Sequence, residues 1–108
     1  MISIEDFLKV DLRVAVVKHA EPHPNADKLL ILKIDAGDGS ENRRIVAGIR
    51  NHYKPEDLIG KRIVIVNNLA PATIRGVESQ GMILAAKDGD QMVILTTERE
   101  IKPGAKIQ

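Results

Sequence analysis

Residues 43–67 read RRIVAGIRNHYKPEDLIGKRIVIVN. Two runs rich in β-branched residues, Arg43–Ala47 and Lys61–Asn67, predict strands, because branched side chains suit a pleated surface. Gly48 closes the first run. Between them, Pro55-Glu-Asp-Leu followed by Gly60 predicts a single helical turn, since proline presets the first helical φ and glycine ends the turn. Working outward toward the N-terminus, Leu29–Ala36 predicts a strand whose Leu30, Leu32 and Ile34 alternate with Lys33 and Asp35. Gly37-Asp-Gly begins the reversal after it. Leu12 to about Ala20 predicts a further strand, with Leu12, Val14 and Val16 on one face and Arg13 on the other, ended by Pro22, Pro24 and Asn25. Ser3 can cap a short helix over Ile4–Lys9, from which Phe7 is expected to pack inward. Toward the C-terminus, Pro71, Thr73, Arg75 and Gly76 suggest a long exposed loop, and Ser79–Ala86 a last strand.

Three strands, a helical turn, then two strands is the order of the OB-fold, a five-stranded barrel whose second and third strands and loops commonly hold oligonucleotides. The expected fold class is therefore all-β: an OB-fold barrel of residues 12–86 with a short N-terminal helix, in one domain spanning 1–108. Two features do not suit an isolated barrel. The last two strands are apolar on both faces, as Ile63 and Ile65 alternate with Val64 and Val66, and Met82 and Leu84 with Ile83 and Ala85. Some twenty residues also follow the barrel, including Gln91–Thr96 and the Pro103-Gly104 turn. The tail could cover the second face within one chain; an isologous dimer would use that face twice, and a homodimer is the expectation.

Composition removes several function classes. The 108 residues contain no Cys, which excludes disulfides, thiol catalysis and thiolate metal sites. His19, His23 and His52 are scattered, as surface or loop histidines would be, and form no HExxH pair. Asp35, Asp38 and Glu41 lack the order of a calcium loop, and residues 76–81, GVESQG, match neither the Walker nor the dinucleotide fingerprint. Ser79 has no assignable base. No metal, cofactor or catalytic site is expected. No apolar run approaches a membrane span, and the acidic N-terminus lacks a signal-peptide layout, so a cytoplasmic address and no membrane partner are expected. Phe7 and Tyr53 are the only aromatic residues. Two rings cannot form a base-stacking platform.

Charge is the informative property. Net charge is +1, yet between Arg43 and Arg75 lie Arg43, Arg44, Arg50, Lys54, Lys61, Arg62 and Arg75 against only Glu56 and Asp57. Lys28 and Lys33 lie beside this group if the barrel forms. Guanidinium groups bridge phosphate oxygens, while Ser79, Gln80 and Asn68 suit sugar and base edges, so an RNA groove read by phosphate and shape is the leading interpretation. Solubilising charges paired with Glu56, Asp57 and Glu78 are the alternative.

Four segments are specific beyond pattern: DFLKVDLRV at 6–14, HPNADKLL at 23–30, IVAGIRNHYKPEDLIGK at 45–61 and NNLAPATIRGVESQGMILAA at 67–86. Together they closely resemble the tRNA-binding domain found at the C-terminus of bacterial methionyl-tRNA synthetases and as a free-standing structure-specific tRNA-binding protein. The resemblance covers practically the whole chain. It implies a non-catalytic, homodimeric OB-fold that binds folded tRNA by shape, with methionyl-tRNA synthetase as a potential partner. Dimerisation is implied for residues 1–10 and 91–108. The implied tRNA surface comprises Lys28, Lys33, Arg44, Arg50, Asn68, Arg75, Ser79, Gln80 and Met82: the cations on phosphates, Ser79 and Gln80 in hydrogen bonds, Met82 on a ribose or supporting the groove. A related branch of the fold, secretion chaperones that bind peptides or preproteins, is the alternative; its pattern lacks ADKLL and SQGMILAA. Whether the chain is a free-standing protein or a synthetase domain is left open by the residues.

Overall fold

The computed structural model describes residues 1–108. Its elements run α1 (Ile4–Leu8), β1 (Leu12–Pro22), β2 (Leu30–Asp35), β3 (Arg44–Ala47), α2 (Pro55–Leu58), β4 (Arg62–Val66), β5 (Ala72–Ile74), β6 (Val77–Ser79), β7 (Met82–Ile83), β8 (Ala85–Asp88) and β9 (Gln91–Ile94). Five strands form one antiparallel sheet in the order β3-β2-β1-β4-β7. β1 serves both halves of it. Its residues 12–16 pair with β4 and residues 16–22 with β2, and a register shift between Val17 and His19 bends the strand so that the sheet can curl.

The curl closes at the free edge of β3. Gln80 donates its backbone N–H to the Arg44 carbonyl at 2.8 Å, and its side-chain oxygen accepts the Arg44 N–H at 3.1 Å. Ser79 Oγ accepts the Val46 N–H at 3.0 Å. Two side chains thus stand in for the ladder that a regular partner strand would supply, leaving few unpaired edge groups. The result is a nearly closed five-stranded antiparallel barrel of OB-like form. Leu30, Leu32 and Ile34 of β2, Ala15 and Val17 of β1, Ile45 of β3 and Ile63 and Ile65 of β4 fill it. α2 plugs the barrel with Leu58, which has no exposed surface, and Pro55 stands in its first turn as the sequence suggests.

The structure corrects three expectations. Ser79–Ala86 is not one strand: β6, β7 and β8 divide it, with the first break at Gly81, whose φ of 139° and 3.1 Å Cβ clearance from the Val66 carbonyl strain any other residue. The predicted exposed loop contains a hairpin, β5–β6, turning on Arg75 and Gly76 with φ of 52° and 87°. No residue of α1 is buried, and Phe7 remains 37% exposed. Of the second apolar face, Val64 and Val66 are buried within the chain, one of the two readings that the sequence leaves open. Residues 104–107 run along the part of β1 that β2 leaves free: Gly104 N–H donates to the Val14 carbonyl, Val14 N–H to the Ala105 carbonyl and Ile107 N–H to the Leu12 carbonyl. Val14, Val64 and Val66 are buried. That part of the face therefore does not by itself require a second chain, while Met82, opposite Val66, stays 45% exposed.

Candidate nucleic-acid interface

The cross-strand register decides which cations share a face. His19 of β1 is opposite Lys33 of β2, and Lys33 is opposite Arg44 of β3. Three positions bearing imidazole, ammonium and guanidinium groups thus form one row across three strands. Like charges directly opposite one another cost stability, so Lys33 beside Arg44 is a position where an incoming anion gains and the folded chain alone loses.

The loops extend this row. Lys28 and Arg75 line one shallow cavity of about 300 Å³ with Ala26, Asp27 and Leu29. Arg50 donates from Nη1 to the Ala26 carbonyl at 3.2 Å, and its N–H bonds to the Lys28 carbonyl at 3.3 Å, so its side chain is anchored beside that cavity. Arg75 occupies the first position of a two-residue turn with positive φ. Asn or Gly is the usual choice there, and a bulkier residue costs about 1 kcal/mol. The hairpin tip thus carries a cation against local preference.

Other basic residues are engaged internally. Arg43 donates Nε to the Gln80 carbonyl at 3.0 Å, Nη2 to the Asn67 carbonyl at 2.9 Å and Nη1 to Asn67 Oδ1 at 2.6 Å, with Asp38 at 3.4 Å. Arg62 donates to the Ile101 carbonyl at 2.7 Å. Lys61 lies 5.9 Å from the Tyr53 ring centre, and the Tyr53 hydroxyl accepts the Ile94 N–H. This ring packs on the core rather than facing solvent as a stacking surface.

The uncharged candidates divide. Gln80 is half-buried and tied to Arg44, with its side-chain NH₂ unspent. Ser79 is buried, and its hydroxyl both accepts from Val46 and donates to the Gly81 carbonyl at 3.0 Å. Asn68 is exposed but uses both ends of its amide to bind Asp11 N–H and the Lys9 carbonyl, which places it at the exit of α1. Met82 is 45% exposed on β7, paired with Val66. The structure thus gathers Lys28, Lys33, Arg44, Arg50, Arg75 and Gln80 around β2, β3 and the adjoining loops.

His23 is the residue that sequence reading misplaced. It is 2% exposed, its Nδ1 accepts the Asn25 N–H at 3.0 Å and its Nε2 lies 3.1 Å from the Ile74 carbonyl. A lone histidine between two prolines gives no hint of burial. Only the return of β5 over the 23–29 loop creates its site.

Comparison with known proteins identifies the module. The family model described as "Putative tRNA binding domain" matches residues 12–106. A methionine–tRNA ligase of Thermotoga maritima is 59% identical over 106 residues, covering 98% of this chain but 16% of the ligase. The chain therefore spans a small fraction of that relative's length. A crystal structure of a MetRS-related protein from Pyrococcus horikoshii superposes with a TM-score of 0.91 at 36% identity, covering 100% of this chain and 98% of that one. Chaperone CsaA from Bacillus anthracis superposes with a TM-score of 0.89 at 37% identity, covering 100% and 99%. The matched module is a binding domain, non-catalytic and distinct from a synthetase's catalytic part. On the family match and the ligase identity, the chain belongs to the tRNA-binding domain family.

Proposed function

We propose that this chain binds tRNA by its folded shape, without reading a particular sequence, along the surface formed by β2, β3 and the loops carrying Lys28 and Arg75. The observations that carry this reading are the like-charge pair Lys33 and Arg44 across β2 and β3, and the grouping of Lys28 and Arg75, with Arg50 anchored alongside, around one cavity of a nearly neutral protein. The spent Tyr53 ring supports phosphate and shape contact rather than stacking. In this reading the cations meet phosphates, the free amide of Gln80 and the exposed side chain of Met82 meet sugar or base edges, and Ser79 and Asn68 hold the surface from behind.

A homodimer completes the proposal. Met1, Ile2, Ile4 and Leu8 are between 64% and 126% exposed, so α1 offers an apolar face that nothing in the chain covers. Together with exposed Val93, Leu95 and Ile101 it gives an isologous contact enough apolar surface. The module would act in the cytoplasm, raising the residence of tRNA at a methionyl-tRNA synthetase, either as part of it or as a separate chain. A peptide-binding role is the second reading, favoured by the likeness to chaperone CsaA.

Binding to folded tRNA and to an unstructured RNA of equal length, measured in parallel across a salt series, tests the proposal. Preference for folded tRNA with a steep salt dependence is expected. Equal weak binding to both RNAs, with tighter binding to an unfolded polypeptide, would favour the chaperone reading.

A further inference from the structure

The β5–β6 hairpin stands outside the five-stranded sheet as a separate two-stranded unit. Such a hairpin has little stability of its own. Its base is held by Ser79, through the bond to Val46. Its tip carries Arg75, and beside that tip His23 Nε2 lies 3.1 Å from the Ile74 carbonyl oxygen. The other nitrogen of the same ring accepts the Asn25 N–H, so the ring must carry its proton on Nε2 and donate it to Ile74. One imidazole, 2% exposed, therefore links the loop that carries Lys28 to the hairpin that carries Arg75, the two walls of the 300 Å³ cavity. Arg50 reaches the same loop through the Ala26 carbonyl.

Resting on the tRNA-binding reading above, we propose that His23 is a positioning residue: it pins the tip of the hairpin so that Arg75 faces the same phosphate strand as Lys28 and Arg50. An apolar side chain of similar size would fill the space but would supply neither directional link. The burial of this imidazole and the use of both its nitrogens identify an orienting role rather than mere filling.

The discriminating variant is His23→Asn. Its short amide keeps an acceptor for the N–H two residues on, as in an Asx turn, but loses the donor that reaches Ile74. Amide exchange at residues 74–77 is expected to quicken by roughly tenfold, about the worth of one lost hydrogen bond. Arg75→Asn should lower the salt slope of tRNA binding by about one in the unaltered chain, and by nothing further in the His23→Asn background. Unchanged exchange at 74–77, or a full loss of slope from Arg75→Asn in the His23→Asn background, would overturn the proposal. Should His23→Asn not fold, His23→Gln, which keeps a donor toward Ile74 and loses the acceptor for Asn25, must preserve the contribution of Arg75; its loss there overturns the proposal equally. If the unaltered chain does not bind tRNA, the functional reading fails instead, and the exchange measurement alone decides whether His23 pins the hairpin.

Discussion

The carboxylate of Asp11 accepts a hydrogen bond of 2.9 Å from the side-chain amide of Asn67. Its other oxygen is 2.7 Å from Arg13 Nε. Asn67 in turn accepts from Arg43, so a continuous polar chain runs from the exit of α1, past β4, to the base of β3. These contacts, the Asn67 bond first and Arg13 next, hold the Asp11 carboxyl below its ordinary value against a smaller opposing effect of burial. A folded-state pKa below the unfolded one contributes stability that is present above the unfolded value and is lost as pH falls through the folded value.

Denaturation midpoints measured from neutral to acidic pH should therefore fall on the acid side, and Asp11→Asn should flatten that fall. At neutral pH the same variant should cost roughly 1–2 kcal/mol, the worth of a charged hydrogen bond at a half-buried site. An acid limb that is as steep in Asp11→Asn as in the unaltered chain would mean that other carboxylates carry it.

Adjacent arginines should behave oppositely. Arg43→Ala removes four hydrogen bonds from a side chain that is 12% exposed, and is expected to cost about 2–4 kcal/mol, chiefly by leaving the Asn67 and Gln80 oxygens unpaired. Arg44→Ala relieves a like-charge pairing with Lys33 and should leave stability within about 0.5 kcal/mol while lowering the salt slope of tRNA binding by about one. Chemical denaturation and salt titration of the two variants separate these roles.

Stability and binding should trade against each other at Arg75. Arg75→Asn puts a residue that accepts positive φ into the turn and should stabilise the hairpin by some tenths of a kcal/mol, up to about 1. The same change is expected to weaken tRNA binding. A variant that gains stability and keeps full affinity would remove Arg75 from the interface.

The tail should matter to the monomer fold as well as to any dimer. Gly104 has a φ of 91°, and a Cβ there would stand 2.8 Å from the Ala36 carbonyl. Gly104→Ala is thus expected to detach residues 104–107 from β1, expose Val14 and lower the melting temperature by several degrees, as a cost of about 1–2 kcal/mol implies. Calorimetry checks it.

Self-association is expected through α1. Light scattering over a concentration series should give about twice the 11.9 kDa chain mass at micromolar concentration, and Ile4→Glu with Leu8→Glu should return it to the monomer value. A monomer mass throughout would reject the dimer.

Much of the barrel was legible in residues 12–67. Long runs with period two at β1 and β2, and the proline and glycine around α2, are local signals that the fold obeys. Beyond Asn67 they fail: the hairpin of three-residue strands turns on Arg-Gly, where the familiar signal would be Asn-Gly, and Gly81 breaks an apolar run that looks continuous. The charged surface was equally uneven. Its cations are visible as composition, but composition could not separate Arg43, spent on Asn67 and Gln80, from Arg44 beside it, which faces Lys33 across the strands.

By itself the sequence determined the succession of elements from α1 to β4, the absence of thiol chemistry, the regional excess of cations and, through four motifs, the family. The tertiary structure decided what each polar group is for. Local pattern sets which face of a strand is apolar, but whether a hydrogen-bonding atom is spent or free depends on what the chain brings to it from dozens of residues away, as Ile74 is brought to His23 and Ala105 to Val14.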